Sequence, residues 1–336
     1  MKVCIVGAGA IGGFIGTRLA ASSKATVSAI ARGATLEALR RHGWRLMQGN
    51  GLVQAPVQAT DDARELGVQD LVVIAVKGPA LASAAALVGP LLGPQTVVLP
   101  AMNGVPWWFS AGIDALGAAP LESVDPGGRI AAAIAQYHVI GCVVHASTAA
   151  VEPGLIQHRM GQGLIIGEPD GGASARVRQV GALLADAGFD VTVSDRIRHD
   201  IWYKLWGNLT MNPITAVTGA TMDRVLDDPL LREFCSAAMR EASAIGERIG
   251  CRVDESPEDR HAVTRKLGAV RTSMLQDVEA GRAIELDSIV AAVREIGLRV
   301  GVATPSIDAI LGMARLFGRV HHLYPEALQD VAAHDS

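Results

Sequence analysis

With 336 residues the chain has the length of about two domains. Hydrophobic residues make up 49% of it and charged residues 19%, which excludes extensive disorder and supplies a sizeable core. A net charge of −4 and dispersed Lys and Arg leave no basic stripe, so the expected partner is a small molecule, with no nucleic acid and no membrane.

The cysteines Cys4, Cys142, Cys235 and Cys251 stand far apart, with neither a CxxC pair nor a Cys/His spacing suited to zinc. They read as reduced core residues of a cytoplasmic protein without a metal site. The opening "MKVCIVGAGAIGGFIGTRLAAS" has the early Lys and apolar run of a secretory signal, but five glycines make it a poor hydrophobic helix. The apolar stretch from 83 to 102 is broken by Pro90, Pro94 and Pro100 and does not read as a membrane span.

In chain order, "KVCIVG", "ATVSAI", "DLVVIAV" and "TVVLPAM" are short apolar strands. The stretches between them, "GGFIGTRLAAS", "ATLEALRRHG" and "ALASAAALVGPLL", are helical. This alternation predicts βαβ units and a mostly parallel, doubly wound sheet. "YHVIGCVVHAST", "GLIQHRM", "GLIIGE" and "DVTVS" follow as strands without helices between them, and so predict an antiparallel extension of that sheet. From about residue 197 long helical patterns take over, among them "DPLLREFCSAAMREASAIGERIG" and "LDSIVAAVREIGLRVG". The expected class is α/β, with a first domain over 1–196 and an all-helical second domain over 197–336. The terminal "AAHDS" is expected to fray.

Gly7-Ala8-Gly9-Ala10-Ile11-Gly12 satisfies GxGxxG directly behind the first strand and at the opening of a helix. The pattern provides a tight turn at Gly7, room for a pyrophosphate beside Gly9, close packing at Gly12 and a helix N-terminus aimed at negative charge. In this context it predicts a Rossmann-type dinucleotide site. Where the second strand should meet the adenosine ribose the chain reads Ala31-Arg32-Gly33, with no acidic residue for a free 2′-hydroxyl. Arg32 suits a 2′-phosphate, which favours NADPH/NADP+ over NADH; the blander reading is a surface arginine in a loop. Lys77 and the Asn103-Gly104 turn each follow an apolar strand, on the side where open α/β sheets bind ligands. Each has two readings: a solvated loop lysine or a cofactor contact for Lys77, an ordinary turn or a carboxamide on the nicotinamide ribose for Asn103.

"DIWYKLWGNLTMNPIT" carries Lys204, Asn208 and Asn212 at intervals of four on an otherwise apolar helix, hence on one face. A lysine whose pKa is lowered by burial is a suitable acid for a reduced carbonyl, and the two carboxamides imply a polar cleft. A lone lysine, by contrast, often snorkels to water. Pro213 is expected to kink or interrupt this helix. In "RTSMLQDVEAGRAIELDSI", a helix over 272–279 places Ser273, Gln276 and Asp277 on one face, and Glu285 opens the next helix. These groups suit either a small polar substrate or ordinary caps and surface ion pairs.

Taken together, GAGAIG, VKGPA, the Asn-Gly turn, "IWYKLWGNLTMNPITAV", "SMLQDVEAGRAIELD" and "GVATPSIDAI" resemble the ketopantoate reductase family over almost the whole chain. The resemblance implies NADPH-dependent reduction of ketopantoate to pantoate, a step of pantothenate biosynthesis, in an interdomain cleft. It implies Lys204 as general acid, Glu285 orienting it near the reacting centre, and Asn208, Asn212 and Ser273 as substrate ligands. Lys77 and Asn103 fall on the cofactor side. The chain departs from the family pattern at Met102, at Pro106-Trp107-Trp108, at Val143 to Ser147, and at Met222-Asp223 where a third asparagine is usual. These departures suit a paralogue for another 2-oxo acid. Parts of the pattern also fit a hydroxyacid or polyol-phosphate dehydrogenase, or a non-catalytic NADPH sensor. Apolar helical faces are compatible with a homodimer as well as with a core.

Overall fold

The computed structural model describes residues 1–326, so the terminal segment expected to fray lies outside the described residues. By packing, the chain divides into two compact units: Met1–Leu205 with Gly246–Arg252, and Trp206–Ile245 with the residues from Val253 onward.

In the first unit, β1 (Lys2–Val6), α1 (Ala10–Ala21), β2 (Thr26–Ile30) and α2 (Gly33–His42) lead into a hairpin of β3 (Trp44–Gln48) and β4 (Gly51–Ala55). Then come β5 (Gln58–Thr60), β6 (Leu71–Ile74), α3 (Leu81–Leu87), β7 (Val97–Pro100) and α4 (Arg129–Ala133). β8 (Gly141–Glu152), β9 (Leu155–Gly167), α5 (Ala175–Asp186), β10 (Asp190–Val193) and the start of α6 (Ile197–Thr218) follow.

The parallel sheet has the order β5-β2-β1-β6-β7. β6 and β7 are apolar and buried along their whole length, and β1 is so beyond its first residue, Lys2, as strands covered on both faces must be. Val6 pairs with both Ile30 and Ile74, and Ile74 with Pro100, so the strands end at one level. The chain switches sides between β1 and β6, which opens a crevice at the carboxyl ends of the strands.

The later strands do not simply prolong this sheet. β8 pairs antiparallel with β9, as expected, but β9 also pairs in parallel with β10 and β3, giving a second, mixed sheet. A single bridge between Val98 and Val139 ties the first sheet to the approach to β8. Helix α5, between β9 and β10, contradicts the expectation that no helix intervenes. The second sheet also takes in the β3–β4 hairpin, and its place follows from what α1 requires. A Cβ at Gly12 would stand 3.0 Å from Ile5 and 3.1 Å from Ala75 on the first sheet, while Cβ atoms at Gly13 and Gly16 would stand 2.5 Å from Ile156 and 2.7 Å from Trp44 on the second. The helix is flanked by both sheets at backbone distance, and its extra glycines serve that packing.

The second unit is helical. It holds the remainder of α6, then α7 (Met222–Asp227), most of α8 (Pro229–Arg248), α9 (Pro257–Arg265), α10 (Ser273–Glu279), a π-turn over Asp287–Ala291, α11 (Ala292–Arg299) and α12 (Pro305–Val320). Apolar spacing explains the packing of α12, where Ile307, Ile310, Leu311, Ala314 and Gly318 form its buried face. The interruption expected at Pro213 does not occur, since α6 runs from Ile197 to Thr218 with the proline inside. Leu209, Thr210, Asn212, Ile214, Thr215 and Ala216 around it are all buried, and that burial outweighs the roughly 3 kcal/mol of a mid-helix proline. Among the described residues no helix is long and apolar enough to cross a membrane.

Candidate active site

The glycine loop occupies the carboxyl end of β1. Gly7 has a φ of 91°, a value closed to ordinary side chains, and its N–H donates to the Ile30 carbonyl at 3.0 Å. A Cβ at Gly12 would lie 2.0 Å from the Gly7 carbonyl oxygen, so the turn closes only with glycine there. At Gly9 the opposite holds: nothing lies within 4 Å of where a Cβ would stand. Gly9 caps α1 without a side-chain hydrogen bond, which leaves the amides of the first turn for an anion. Ala8 is buried, whereas Ala10 and Ile11 are half-buried at the mouth of the helix. This cradle fits the pyrophosphate of a dinucleotide.

Three further expected cofactor residues stand at the same edge. Arg32 is exposed just past β2 and caps α2. Lys77 lies three residues beyond β6, at the start of a short 3-10 turn, and Asn103 three residues beyond β7. The register of the sheet aligns these positions with Gly7.

Lys204 belongs to the same unit. Its ammonium donates to Asn103 Oδ1 at 2.9 Å and to the Val144 carbonyl at 2.6 Å. Burial pushes its pKa down to about 8. Cys142 remains a neutral thiol, pushed up to about 12 by its own burial. Val144 immediately precedes a bulge in the β8–β9 ladder, between His145 and Ser147, a device common beside active sites. The ammonium thus has two of its three N–H groups engaged by neutral acceptors.

In the second unit, Asn208 is half-buried and Asn212 is 5% exposed. Ser273 is exposed at the first position of α10, whose cap is Thr272. Thr272 Oγ1 lies 2.6 Å from Thr215 Oγ1, one turn beyond Asn212. This buried pair of hydroxyls ties the asparagine-bearing part of α6 to the helix that starts with Ser273. Asp277 pairs with Arg282 at 3.0 Å across the turn that leads to half-buried Glu285.

Two family models match the chain: ketopantoate reductase PanE/ApbA over residues 3–171 and ketopantoate reductase PanE/ApbA C terminal over 196–317. A 2-dehydropantoate 2-reductase of Mesorhizobium japonicum is 43% identical over 316 residues, covering 94% of this chain and 97% of its own length. The chain belongs to the ketopantoate reductase family. It is an NADP-dependent oxidoreductase of that type. A crystal structure from Ralstonia solanacearum MolK2, provisionally assigned as a ketopantoate reductase, is 54% identical with a TM-score of 0.92, covering 96% of this chain and 99% of that one. The PanE/ApbA family ketopantoate reductase of Ralstonia eutropha JMP134 gives a TM-score of 0.82 at 25% identity, covering 96% and 100%.

Sequence reasoning could not find the Val144 carbonyl, because a backbone acceptor leaves no trace in residue type. It placed Asn103 on the cofactor side without its bond to Lys204. The tryptophans Trp107 and Trp108, which depart from the family pattern, are 3% and 2% exposed. The Arg198 guanidinium lies 5.9 Å from the Trp108 ring, and Gly141 leaves space for the same ring. They are core residues of the first unit. Where the family commonly has a third asparagine, Met222 is buried and Asp223 accepts a hydrogen bond from Thr221 at the start of α7.

Proposed function

We propose that this protein reduces 2-dehydropantoate to pantoate with NADPH, and that Lys204 is the general acid. The observation that carries the reading is the Lys204 ammonium itself: desolvated, fixed by Asn103 Oδ1 and the Val144 carbonyl, and left with one N–H donor for a substrate oxygen. When bound, NADPH supplies the hydride that the substrate carbonyl carbon receives. Negative charge then grows on the carbonyl oxygen, and Lys204 stabilises it and passes a proton to it, becoming a neutral amine that solvent reprotonates. An acid with a pKa of about 8 is mostly protonated at neutral pH yet weak enough in its hold to give the proton up.

Asn208, Asn212 and Ser273 bind the carboxylate and hydroxyl of the substrate, and Glu285 orients Lys204. Gly7 through Gly12 hold the pyrophosphate, Arg32 the 2′-phosphate, and Lys77 and Asn103 the nicotinamide ribose. Arg32 at the end of β2, with no carboxylate beside it in Ala31-Arg32-Gly33, supports NADPH over NADH. Burial of Trp107 and Trp108 supports 2-dehydropantoate over a different 2-oxo acid, since core residues do not reshape a pocket.

The test is steady-state NADPH oxidation with 2-dehydropantoate beside a panel of 2-oxo acids, for wild type and Lys204→Ala. Turnover of 2-dehydropantoate that drops by about 10²–10⁴-fold in the variant is expected. Turnover confined to another oxo acid would overturn the substrate assignment, and an undiminished Lys204→Ala rate would overturn the acid.

A further inference from the structure

We propose that the turn after α12, His321 to Tyr324, is a clasp that positions Glu285, with Tyr324 as its principal residue. The proposal rests on the reading above of Glu285 as a group at the reacting centre. The family model ends at residue 317, so this turn lies beyond the residues that it matches.

Glu285 sits in an extended link between the Gly281-Arg282 turn and the π-turn that begins at Asp287. Both of its flanks are tied to the same short segment. On one side the Ile284 N–H donates to the Leu323 carbonyl at 2.9 Å. On the other the Tyr324 hydroxyl donates to Asp287 Oδ1 at 2.5 Å. Two bonds that bracket the Glu285-Leu286 pair fix the backbone from which the Glu285 carboxylate projects. Single π-turns inside helices occur frequently at functional positions, and this one starts two residues after Glu285.

The clasp is itself held in a defined shape. The Leu323 N–H donates to the Gly318 carbonyl at 2.6 Å and the His322 N–H to the Arg319 carbonyl at 3.0 Å, which is a Schellman ending for α12. That motif usually has glycine at its left-handed position, but here His322 occupies it with a φ of 56°. Gly318 supplies the room: a Cβ there would lie 2.7 Å from Tyr324 Cβ and 3.0 Å from Ile284 Cδ1. The helix end, the tyrosine and the link that bears Glu285 are therefore packed as one piece. A backbone conformation unfavourable for histidine persists only where its surroundings determine it.

The experiment uses the full-length enzyme and compares Tyr324→Phe, Glu285→Gln and the double variant. With 2-dehydropantoate, Tyr324→Phe is expected to lower kcat by about tenfold, as displacement of a reacting group does, with KM for NADPH unchanged. In the Glu285→Gln background the same change should have no further effect on kcat, because the clasp acts only through Glu285. Asp287→Asn still accepts the tyrosine hydroxyl and should keep kcat within about threefold of wild type, whereas Asp287→Ala should reproduce Tyr324→Phe. This second pair carries the test if Tyr324→Phe fails to fold. Losses that multiply in the double variant, or a Tyr324→Phe kcat equal to wild type beside a slow Glu285→Gln, would overturn the clasp. A Glu285→Gln enzyme as fast as wild type would overturn the assigned role of Glu285 and the clasp with it.

Discussion

The pH dependence of reduction follows from the environment of Lys204. Burial lowers its pKa from 10.5 to about 8, and the acid must be protonated to act. The kcat/KM for 2-dehydropantoate is therefore expected to be level below about pH 8 and to fall about tenfold for each pH unit above it. At pH 9 roughly one tenth of the ammonium remains, so the rate should be about a tenth of the plateau. The same shift has a stability consequence of definite sign. Between about 8 and 10.5 the unfolded chain binds the proton that the folded protein has lost, so wild-type stability rises with pH across that window. The total is about 3 kcal/mol at 1.36 kcal/mol per pKa unit. The Lys204→Met variant lacks this contribution, so denaturation midpoints of the two proteins near pH 7.5 and pH 10 isolate it. Asn103→Leu withdraws an acceptor from the ammonium and should move the alkaline limb to lower pH. A profile that stays level to pH 10, or an alkaline limb that persists in Lys204→Ala, would refute this account of the acid.

Three other outcomes test the rest of the site, and a fourth tests the end of α12. Gly9→Ala adds a Cβ into open space and should leave the melting temperature almost unchanged while weakening NADPH binding more than about tenfold. Gly12→Ala drives a Cβ to 2.0 Å from a backbone oxygen and should destabilise the first unit by several kcal/mol, on the order of the larger overpacking penalties. Arg32→Glu replaces the cation at the end of β2 with a group that accepts from a 2′-hydroxyl, so the ratio of kcat/KM for NADPH over NADH should fall by about 10²-fold. His322→Gly relieves a left-handed residue and should raise stability by about 1 kcal/mol, read as a shift in the denaturant midpoint.

How much of this was legible in the sequence depended on the range of the interaction concerned. The glycine loop, the parallel sheet and the helical second half are governed by local patterns: a turn that excludes side chains, apolar runs of strand length, apolar spacing at the helical period. Lys204, Asn208 and Asn212 were legible for the same reason, since a spacing of four puts them on one face wherever the helix lies. The free, buried thiols Cys4, Cys142, Cys235 and Cys251 also match their spacing.

Only the tertiary structure decided what these residues meet. Pro213 carries a local signal to break α6, and burial along the helix overrides it. The strands from Gly141 onward read as an extension of the first sheet, but the glycines of α1 admit a second sheet at backbone distance and so fix where they pack. The carbonyl of Val144 and the carboxamide of Asn103 reach Lys204 from 60 and 101 residues away in sequence. A backbone acceptor has no residue-type signature, and a contact of that sequence separation has no period. Residue types determined that an ammonium was available here, and the packing of distant segments around it determined its pKa.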